Sequence, residues 1–307
     1  MKENLISIIM NCYNGEKYLK ESLNSIISQT YQNWELIFWD NKSTDQSKNI
    51  FLNYKDIRFK YFYSEINTGL GEARLNAYKK TNGQYIAFLD CDDLWNKNKL
   101  EKQILKFKDE KVGIVITDTI FFKEKGNSRQ LYKNKTPPTG FIIDKLLENY
   151  FISLETVLLK KSYIEKLDHS FDPQFNHLSD YDLIIRLSLI CKLAYCPEVL
   201  AKWRIHDSNE SVLKPNLFNI EKKYFVSKIK SKFPEIINNN LNSWEKLKIK
   251  IIVNDLIYFI LTKKNKDPRK VIKKYIFKDY KISILLLLSY IPLSKYVLRL
   301  IKKIANL

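Results

Sequence analysis

Several signatures of common enzyme classes are missing from this 307-residue sequence. No Gly-x-Gly-x-x-Gly follows the first apolar run and no Walker loop is present, which disfavours dinucleotide redox chemistry and P-loop hydrolysis. The sequence also lacks Gly-x-Ser-x-Gly and the His/Cys spacing of a zinc site. With only three histidines, imidazole is not an abundant catalytic resource in this chain.

Cysteine is scarce, and the apolar runs are short. Cys12, Cys91, Cys191 and Cys196 include no Cys-x-x-Cys pair and predict no disulfide framework. The first residues lack the long apolar region of a signal peptide. The run 282–293 is nearly all apolar but holds only 12 residues, whereas a membrane-spanning helix needs about 20. These features predict a reducing, cytoplasmic setting.

The formal net charge of +18 is concentrated at one end of the chain. Residues 1–213 carry a net charge of +2, and residues 214–307 carry +16. A general bias toward lysine codons would not spare the first two-thirds. The asymmetry predicts that the C-terminal part meets an anionic surface.

Short apolar runs alternate with amphipathic helical stretches in the first part of the chain. The strand-like runs lie at 5–10, 34–39, 59–63, 85–89, 112–117, 154–159, 193–197 and 200–206. Helical spacing separates the first four runs and no tight hairpin signal joins them, which predicts an α/β fold with a mostly parallel sheet flanked by helices. We expect a further helix from about Ser179, and residues 123–140 form a loop long enough to cover a site.

An acidic turn follows the fourth apolar run directly. Asp90, Asp92 and Asp93 come within four residues of its end, and buried carboxylates are costly unless a cation meets them. At the carboxyl edge of a sheet, this pattern favours a divalent metal and a ligand. The alternative is an acidic turn in which Asp92 or Asp93 caps a helix that starts near Trp95.

Further carboxylates follow other strand-like runs, and the carboxyl ends of parallel strands share one rim. They are Asp40, Asp45, Asp180 and Asp182. If these carboxylates lie close to the acidic turn, the site could hold a metal-bound diphosphate and also provide a carboxylate base.

An ordered series of short motifs resembles family 2 glycosyltransferases of the GT-A fold. The motifs lie at 7–14, 23–31, 39–45, 67–76, 83–93, 171–172, 179–186 and 203–206. Together they cover roughly residues 4–212, and their order makes the resemblance specific. Residues 90–92 match the Asp-x-Asp motif of the family.

The resemblance implies an inverting sugar transfer from a nucleotide diphosphate sugar, expected to be a UDP-sugar. It implies that Asp40 holds the nucleobase, that Asp90 lies by the ribose, and that Asp92 ligates Mn²⁺ or Mg²⁺, which stabilises the leaving diphosphate. Asp180 matches the general base. The remaining positions carried over are Tyr13, Asn14, Asn67, Arg74 and Arg204 for the donor nucleotide and His206 for the metal.

The sequence departs from the family at a few positions. Asn11 and Cys12 stand where Pro-Thr or a similar pair is common, and Asn41 follows Asp40 where a second acidic residue is common. Ser179 replaces the Glu that commonly precedes the base. We interpret Asp93 as a support and Asp182 as a partner for Arg186.

These features predict two domains, a GT-A domain at 1–213 and a basic helical region at 214–307. The tail from about 281 to 307 is expected to be amphipathic and to lie on a membrane, because its last helical face joins Val297, Leu300, Ile301 and Ile304 opposite lysine and arginine. The alternative is a terminal helix that docks on its own domain. The expected partners are a nucleotide-sugar donor, a glycan or polyprenyl-linked acceptor and an anionic membrane surface, with peripheral attachment to the inner face of the cell membrane.

Two other functional classes are weighed against this interpretation. A catalytically inactive glycan-binding relative would not need Asp90, Asp92 and Asp180, and all three are retained. A nucleic-acid-binding protein should show stacking aromatics among the C-terminal lysines and a known module, and the basic region shows no such module. The sequence therefore favours an enzyme of cell-surface polysaccharide synthesis.

Overall fold

The computed structural model describes residues 4–207, 209, 215–262, 267–275 and 280–291. The chain divides into two compact units, Met1–Leu146 with Tyr150–Leu213, and Leu147–Asn149 with Lys214–Leu307.

The first unit is built on a mixed sheet to which nine strands contribute within residues 4–207. The strands are β1 (Ile6–Cys12), β2 (Trp34–Asp40), β3 (Phe59–Tyr63), β4 (Tyr85–Phe88), β5 (Leu94–Trp95), β6 (Val112–Phe122), β7 (Arg129–Gln130), β8 (Leu158–Lys160) and β9 (Lys192–Arg204). Their order is β3-β2-β1-β4-β8-β6-β9-β5, and β7 pairs with β6.

Parallel ladders join most of the paired strand residues. β3, β2, β1 and β4 are parallel neighbours, and β6 runs parallel to β9 over most of its length. The antiparallel ladders of β8, β7 and β5 are only two or three residue pairs long. The predicted α/β class with a mostly parallel sheet flanked by helices is therefore confirmed.

Helices cover the sheet because their apolar positions recur at helical spacing. In chain order they are α1 (Glu16–Ile27), α2 (Ser47–Leu52), α3 (Leu70–Tyr78), α4 (Lys99–Ile104), α5 (Ile143–Glu148), α6 (Lys161–Ile164) and α7 (Ser179–Ser188), with 3-10 turns at Leu105–Lys108 and Leu154–Thr156. In α1, Leu19, Leu23 and Ile26 are fully buried against Ile8 and Leu36 of the sheet. Burying each such side chain contributes about 1.5–3 kcal/mol.

Three local predictions differ from the structure. Trp95 lies in β5 and not at a helix start, because residues 94–95 pair with β9, and α4 begins only at Lys99. Asp93 is therefore not a helix cap. Residues 154–156 form a 3-10 turn before β8. The two predicted strands at 193–197 and 200–206 are one long strand, β9, which pairs with β6 despite three register shifts.

The second unit is helical over its described residues. It contains α8 (Pro215–Lys232), α9 (Pro234–Asn239), α10 (Leu241–Thr262), a short helix α11 (Arg269–Ile272), a 3-10 turn (Lys273–Tyr275) and α12 (Tyr280–Tyr290). Ile282 and Leu286 of α12 pack on Leu256 and Ile260 of α10. None of the described helices is long and apolar enough to cross a bilayer. The predicted apolar face at 297–304 lies outside the described residues.

Candidate functional site

The turns that follow β1 and β2 form the first part of the site. The register pairs the last residues of the two strands, so both turns start side by side. Asn14 has a φ of 54°, in the left-handed region that Asn tolerates. Its Oδ1 accepts a hydrogen bond from the Thr44 N–H at 2.8 Å, and its own N–H donates to Ser43 Oγ at 3.1 Å. The two turns therefore hold each other and leave Tyr13 55% exposed.

Asp40, the predicted nucleobase partner, is fully buried. Its Oδ2 accepts a hydrogen bond from the Tyr61 hydroxyl at 2.6 Å, and its Oδ1 accepts one from the Ser43 N–H at 2.7 Å. Burial and the contact with Asp40 raise the pKa of Tyr61, which keeps this donor protonated. Asn67 is exposed, and its Nδ2 donates to the Asn41 carbonyl at 3.0 Å. In this geometry Asp40 holds the turn after β2, and its contact with a nucleobase stays a prediction.

Arg74 of α3 lies between two of the predicted site carboxylates. Its Nη2 lies 3.8 Å from Asp90 Oδ1, and its Nη1 lies 3.7 Å from Asp180 Oδ1. Nη1 also donates a hydrogen bond to Ser179 Oγ at 2.7 Å. Burial raises the pKa of Asp90 to about 6, Arg74 opposes this rise, and the negative charges of Asp92 and Asp180 add to it. Arg74 thus connects the predicted ribose-side carboxylate with the predicted base.

Asp180 lies in the first turn of α7, where unpaired backbone N–H groups favour a negative charge. The Tyr150 hydroxyl donates a hydrogen bond to Asp180 Oδ2 at 3.1 Å, while Arg74 faces Oδ1. Burial and the neighbouring Asp180 raise the pKa of Tyr150 well above its ordinary value, so its hydroxyl remains a donor. The Asp180 side chain keeps 16% of its surface exposed. The carboxylate is thus oriented at both oxygens and still accessible.

Asp92 and His206 meet although 114 positions separate them in the chain. Asp92 Oδ2 lies 2.9 Å from His206 Nε2. The side-chain nitrogen of Asn209 lies 3.4 Å from the same oxygen and 3.1 Å from the same ring nitrogen. Asn209 Oδ1 also accepts a hydrogen bond from the His206 N–H at 2.7 Å, and Tyr18 lies against the imidazole ring. The two predicted metal ligands therefore converge on one point.

The donor set at this point fits a divalent metal that binds together with substrate. A carboxylate oxygen suits Mg²⁺ or Mn²⁺, and Mg²⁺ usually keeps several waters and takes ligands from substrate phosphates. Across the part of the chain that the structure describes, no group of three or more His, Cys, Asp or Glu side chains could hold a metal ion. Asp92 and His206 lie together as predicted, and metal binding by this pair stays a prediction.

Arg204 braces the acidic turn against the end of β9. Its side chain is buried, its Nη2 donates to Glu21 Oε2 at 2.7 Å, and its Nε donates to the Asp92 carbonyl at 2.9 Å. Its backbone N–H donates to Asp93 Oδ1 at 2.8 Å. Burial raises the pKa of Asp93 well above its ordinary value, and the negative charge of Asp92 adds to this rise. Asp93 is thus a support, and contact between Arg204 and a diphosphate stays a prediction.

Asp182 and Arg186 form an internal ion pair on α7. Arg186 donates from Nε and Nη2 to Asp182 Oδ2 at 2.9 Å and 2.7 Å, and both side chains are buried. The predicted partnership of these two residues is confirmed. They stabilise the helix that carries Asp180.

Sequence reasoning did not assign Tyr150, Glu21 or Asn209 to the site, although each contacts a predicted site residue. Tyr150 and Glu21 lie far along the chain from Asp180 and Arg204, and neither belongs to a motif. Asn209 had a local signal, since it follows His206 by three residues in a segment already assigned to the site. A polar residue that follows a predicted ligand closely in sequence can therefore be added to the candidate site, whereas Tyr150 could be found only from the fold.

Sequence comparisons find a family and a relative to which this chain is similar. The family model described as Glycosyl transferase family 2 matches residues 7–167. The chain is 33% identical over 214 residues to the Escherichia coli UDP-Glc:alpha-D-GlcNAc-diphosphoundecaprenol beta-1,3-glucosyltransferase WfgD, covering 69% of this chain and 81% of that protein.

Two solved structures share the fold. TarS 1–349 of S. aureus, in complex with UDP-GlcNAc, aligns with a TM-score of 0.65 at 19% identity over 96% of this chain and 91% of that chain. The mannosyltransferase PcManGT from Pyrobaculum calidifontis, in complex with GDP-Man and Mn²⁺, aligns with a TM-score of 0.59 at 14% identity over 95% and 86%.

Proposed function

The chain belongs to glycosyl transferase family 2, and from this membership and the site geometry we propose an inverting transfer of a sugar from a UDP-sugar to a hydroxyl group. The acceptor is a glycan or a polyprenyl-linked sugar in the synthesis of a cell-surface polysaccharide. One observation carries the proposal: Asp92 meets His206, and Arg74 joins Asp90 to Asp180, at the same carboxyl edge of the sheet.

The donor nucleotide binds across the turns that follow β1, β2 and β3. The residues assigned to it are Tyr13, Asn14, Asp40, Asn67, Arg74, Asp90 and Arg204. Exposure of Tyr13 and Asn67 supports this placement, since an aromatic ring and an amide can contact a base directly. Asp40 and Arg204 are buried, and their hydrogen bonds fix the conformation of the turns that contact the nucleotide.

Asp92 and His206 are the residues that would hold Mn²⁺ or Mg²⁺. When bound, such a cation supplies positive charge that stabilises the leaving nucleoside diphosphate. The convergence of one carboxylate oxygen and one imidazole nitrogen supports this assignment. Asn209 fixes the backbone at His206 and contacts both side chains, so it keeps the imidazole near the carboxylate.

Asp180 acts as the general base. It takes the proton of the acceptor hydroxyl as that oxygen attacks the anomeric carbon, and the bond from this carbon to the diphosphate breaks on the opposite face. Such a single displacement inverts the anomeric centre. Tyr150 and Arg74 support the role, because they hold the two carboxylate oxygens from different sides and limit rotation of the side chain.

The acceptor class is inferred from the relatives. WfgD is named for UDP-glucose and an N-acetylglucosaminyl diphospholipid, and it matches most of its length to this chain. We therefore extend that substrate class, without the individual sugars, to this protein. A lipid-linked acceptor also gives a reason for the basic second unit, which would keep the enzyme at the inner, anionic face of the membrane.

Thermal denaturation of the full chain with nucleoside diphosphates tests the proposal directly. UDP with Mn²⁺ should raise the melting temperature more than GDP, CDP or dTDP. A ligand present at 100 times its Kd stabilises the folded protein by about 2.7 kcal/mol, so the nucleotide that binds most tightly gives the largest rise. Preference for another nucleotide would contradict the UDP assignment, and no response to any nucleotide would contradict donor binding itself. In a UDP-release assay with UDP-sugars and a short-chain sugar diphospholipid, Asp180→Asn should bind UDP but lose turnover.

A further inference from the structure

Two cysteines lie side by side next to the acidic turn. Cys12 ends β1, and Cys91 stands between Asp90 and Asp92. The parallel register pairs Ile9 with Phe88, and each cysteine stands three residues further along the chain, Cys12 at the end of β1 and Cys91 in the turn after β4. Neighbouring strands are about 4.8 Å apart. The register therefore brings the two cysteines to the same position on the carboxyl edge.

The sulfur atoms meet over Gly15. A Cβ added at Gly15 would lie 2.7 Å from Cys91 Sγ and 2.8 Å from Cys12 Sγ, so the two sulfurs occupy the space that a side chain would need. Contact with the Cys91 thiol lowers the pKa of Cys12, and contact with Cys12 raises the pKa of Cys91. Both thiols are free. A disulfide joins residues whose Cα atoms are about 4.4–6.8 Å apart, which is the spacing of neighbouring strands.

We propose that Cys12 and Cys91 are a modification site, a thiol pair that a peroxide converts into a disulfide and that thereby disables the donor site. The loss of donor binding rests on the proposed function, whereas the formation of the disulfide does not. Both cysteines stand at positions where the family pattern does not require cysteine: the first replaces the second residue of a common Pro-Thr pair, and the second is the variable residue of Asp-x-Asp.

The chemistry needs only hydrogen peroxide as the oxidant. One sulfur of the pair takes one peroxide oxygen, the O–O bond breaks, and a sulfenic acid and water form. The other sulfur then displaces the hydroxyl group, which takes up the remaining thiol proton and leaves as a second water. Two thiols have lost two electrons and two protons, and peroxide has been reduced to two waters.

The disulfide would alter the site because Asp90 and Asp92 are the direct chain neighbours of Cys91. An S–S bond is about 2.05 Å long, shorter than any hydrogen-bonded separation of two sulfurs. Its formation draws Cys91 toward Cys12 and moves Asp90 and Asp92 with it. A displacement of about 1 Å at catalytic groups can cost about 100-fold in rate. The same bond restrains the turn that carries Tyr13 and Asn14.

The chain supplies its own matched controls. Cys191 is buried, and its thiol donates to the Leu187 carbonyl at 3.2 Å. Cys196 is buried further along β9, five residues away, where an extended strand spans about 16 Å. These two cysteines are therefore too far apart to be joined. Cys191→Ser keeps the proposed pair intact, whereas Cys12→Ser and Cys91→Ser each remove one member.

The experiment treats the reduced full chain with hydrogen peroxide and follows it by two measurements. Mass spectrometry of the digested, unreduced protein should find peptides containing Cys12 and Cys91 linked, with a loss of two hydrogen atoms, in the wild type and in Cys191→Ser. Thermal denaturation should show that the melting-temperature rise with UDP and Mn²⁺ falls at least several-fold after oxidation and returns after dithiothreitol. Cys12→Ser and Cys91→Ser should form no such link and should show no shift that dithiothreitol reverses.

Each outcome decides one part of the inference. If no Cys12–Cys91 link forms, or if peroxide links other cysteines, the modification site is refuted. If the link forms and the response to UDP and Mn²⁺ is unchanged, the loss of donor binding is refuted. If the reduced protein responds to no nucleotide, the proposed function fails and the consequence for donor binding fails with it, while the linked peptides still decide whether the modification site exists.

Discussion

At the scale of single residues, the candidate base is defined by its neighbours more than by its own position. Asp180 has a tyrosine hydroxyl on one oxygen and a guanidinium on the other. Ser179 holds that guanidinium where the family commonly has a Glu, so the cluster carries one negative charge fewer. Arg74 is consequently shared between Asp90 and Asp180, the carboxylates proposed for the ribose side and for the base.

Removal of the Tyr150 hydroxyl should therefore slow the chemical step. Tyr150→Phe is expected to lower kcat by about 10- to 100-fold, because a hydrogen bond to a charged group is worth about 1.5–3 kcal/mol. The KM for the UDP-sugar should stay unchanged, since the residue contacts the base and not the donor. Steady-state kinetics of UDP release measure both constants.

A matched control removes a tyrosine hydroxyl that lies elsewhere. Tyr163 donates to the Glu110 carbonyl, and Tyr163→Phe should leave kcat near its wild-type value. An unchanged kcat in Tyr150→Phe, or a change confined to KM, would contradict the positioning role.

The metal assignment makes its own prediction. Asp92→Ala should abolish the part of turnover that depends on Mn²⁺ or Mg²⁺, because it removes the carboxylate that meets His206. Titration of turnover with metal, and its loss in excess chelator, measure this dependence. Full activity of the wild type in chelator would refute the metal role.

At the scale of elements, the start of α3 shows how a loop and a helix fit together. A Cβ at Gly71 would collide with the backbone carbonyl oxygens of Phe175 and Asp172. The segment that leads to α7 thus lies directly on the first turn of the helix that carries Arg74. The absence of a side chain at this position allows the two site-bearing helices to approach.

Gly71→Ala tests this close approach through stability. Helix propensity alone would favour Ala by up to about 1 kcal/mol, whereas overpacking costs about 1–3 kcal/mol. Because the colliding atoms belong to backbone, we expect overpacking to dominate and the free energy of unfolding to fall by about 1–2 kcal/mol. Urea denaturation measures it. Asn76→Ala on the same helix is the control, and a Gly71→Ala protein as stable as wild type would contradict the packing argument.

At the scale of the whole molecule, the proposed membrane attachment rests on the charge asymmetry and on exposed apolar residues of the second unit. Residues 214–307 carry a net charge of +16. One face of α12 is buried in the unit, and on another face Ile284 is 52% and Leu287 70% exposed. An interfacial helix combines an exposed apolar face with basic charge, and the exposed residues of α12 and the charge of residues 214–307 fit that requirement.

Binding to vesicles should therefore depend on both charge and these apolar residues. The full chain is expected to sediment with vesicles that contain phosphatidylserine and much less with neutral vesicles. The reason is that each lysine or arginine near an anionic surface contributes about 1 kcal/mol to the binding free energy. Deletion of residues 281–307, or the pair Ile284→Asp and Leu287→Asp, should release it. Ile57→Asp, at a residue 95% exposed in the first unit, should not. Retention of the deleted protein on anionic vesicles would refute the anchor.

The sequence by itself determined the elements and the class of chemistry. Strands β1 to β4 and their helices followed from short apolar runs and helical spacing, because both patterns are local properties that each segment carries. The motif at 90–92 and the Ser179-Asp180 turn also stand in one continuous stretch each. Asp90, Asp92 and Asp180 are therefore identifiable as candidate site residues from the sequence alone.

Only the tertiary structure decided how these pieces contact one another. The contact of Asp92 with His206, the burial of Asp40 and the hydroxyl of Tyr150 on Asp180 join segments that lie tens of residues apart. The same holds for Trp95, whose local sequence is typical of a helix start but whose pairing with β9 makes it a strand residue. Such contacts depend on strand order, register and the packing of side chains, and no local pattern encodes the partner that a polar group finds across the fold.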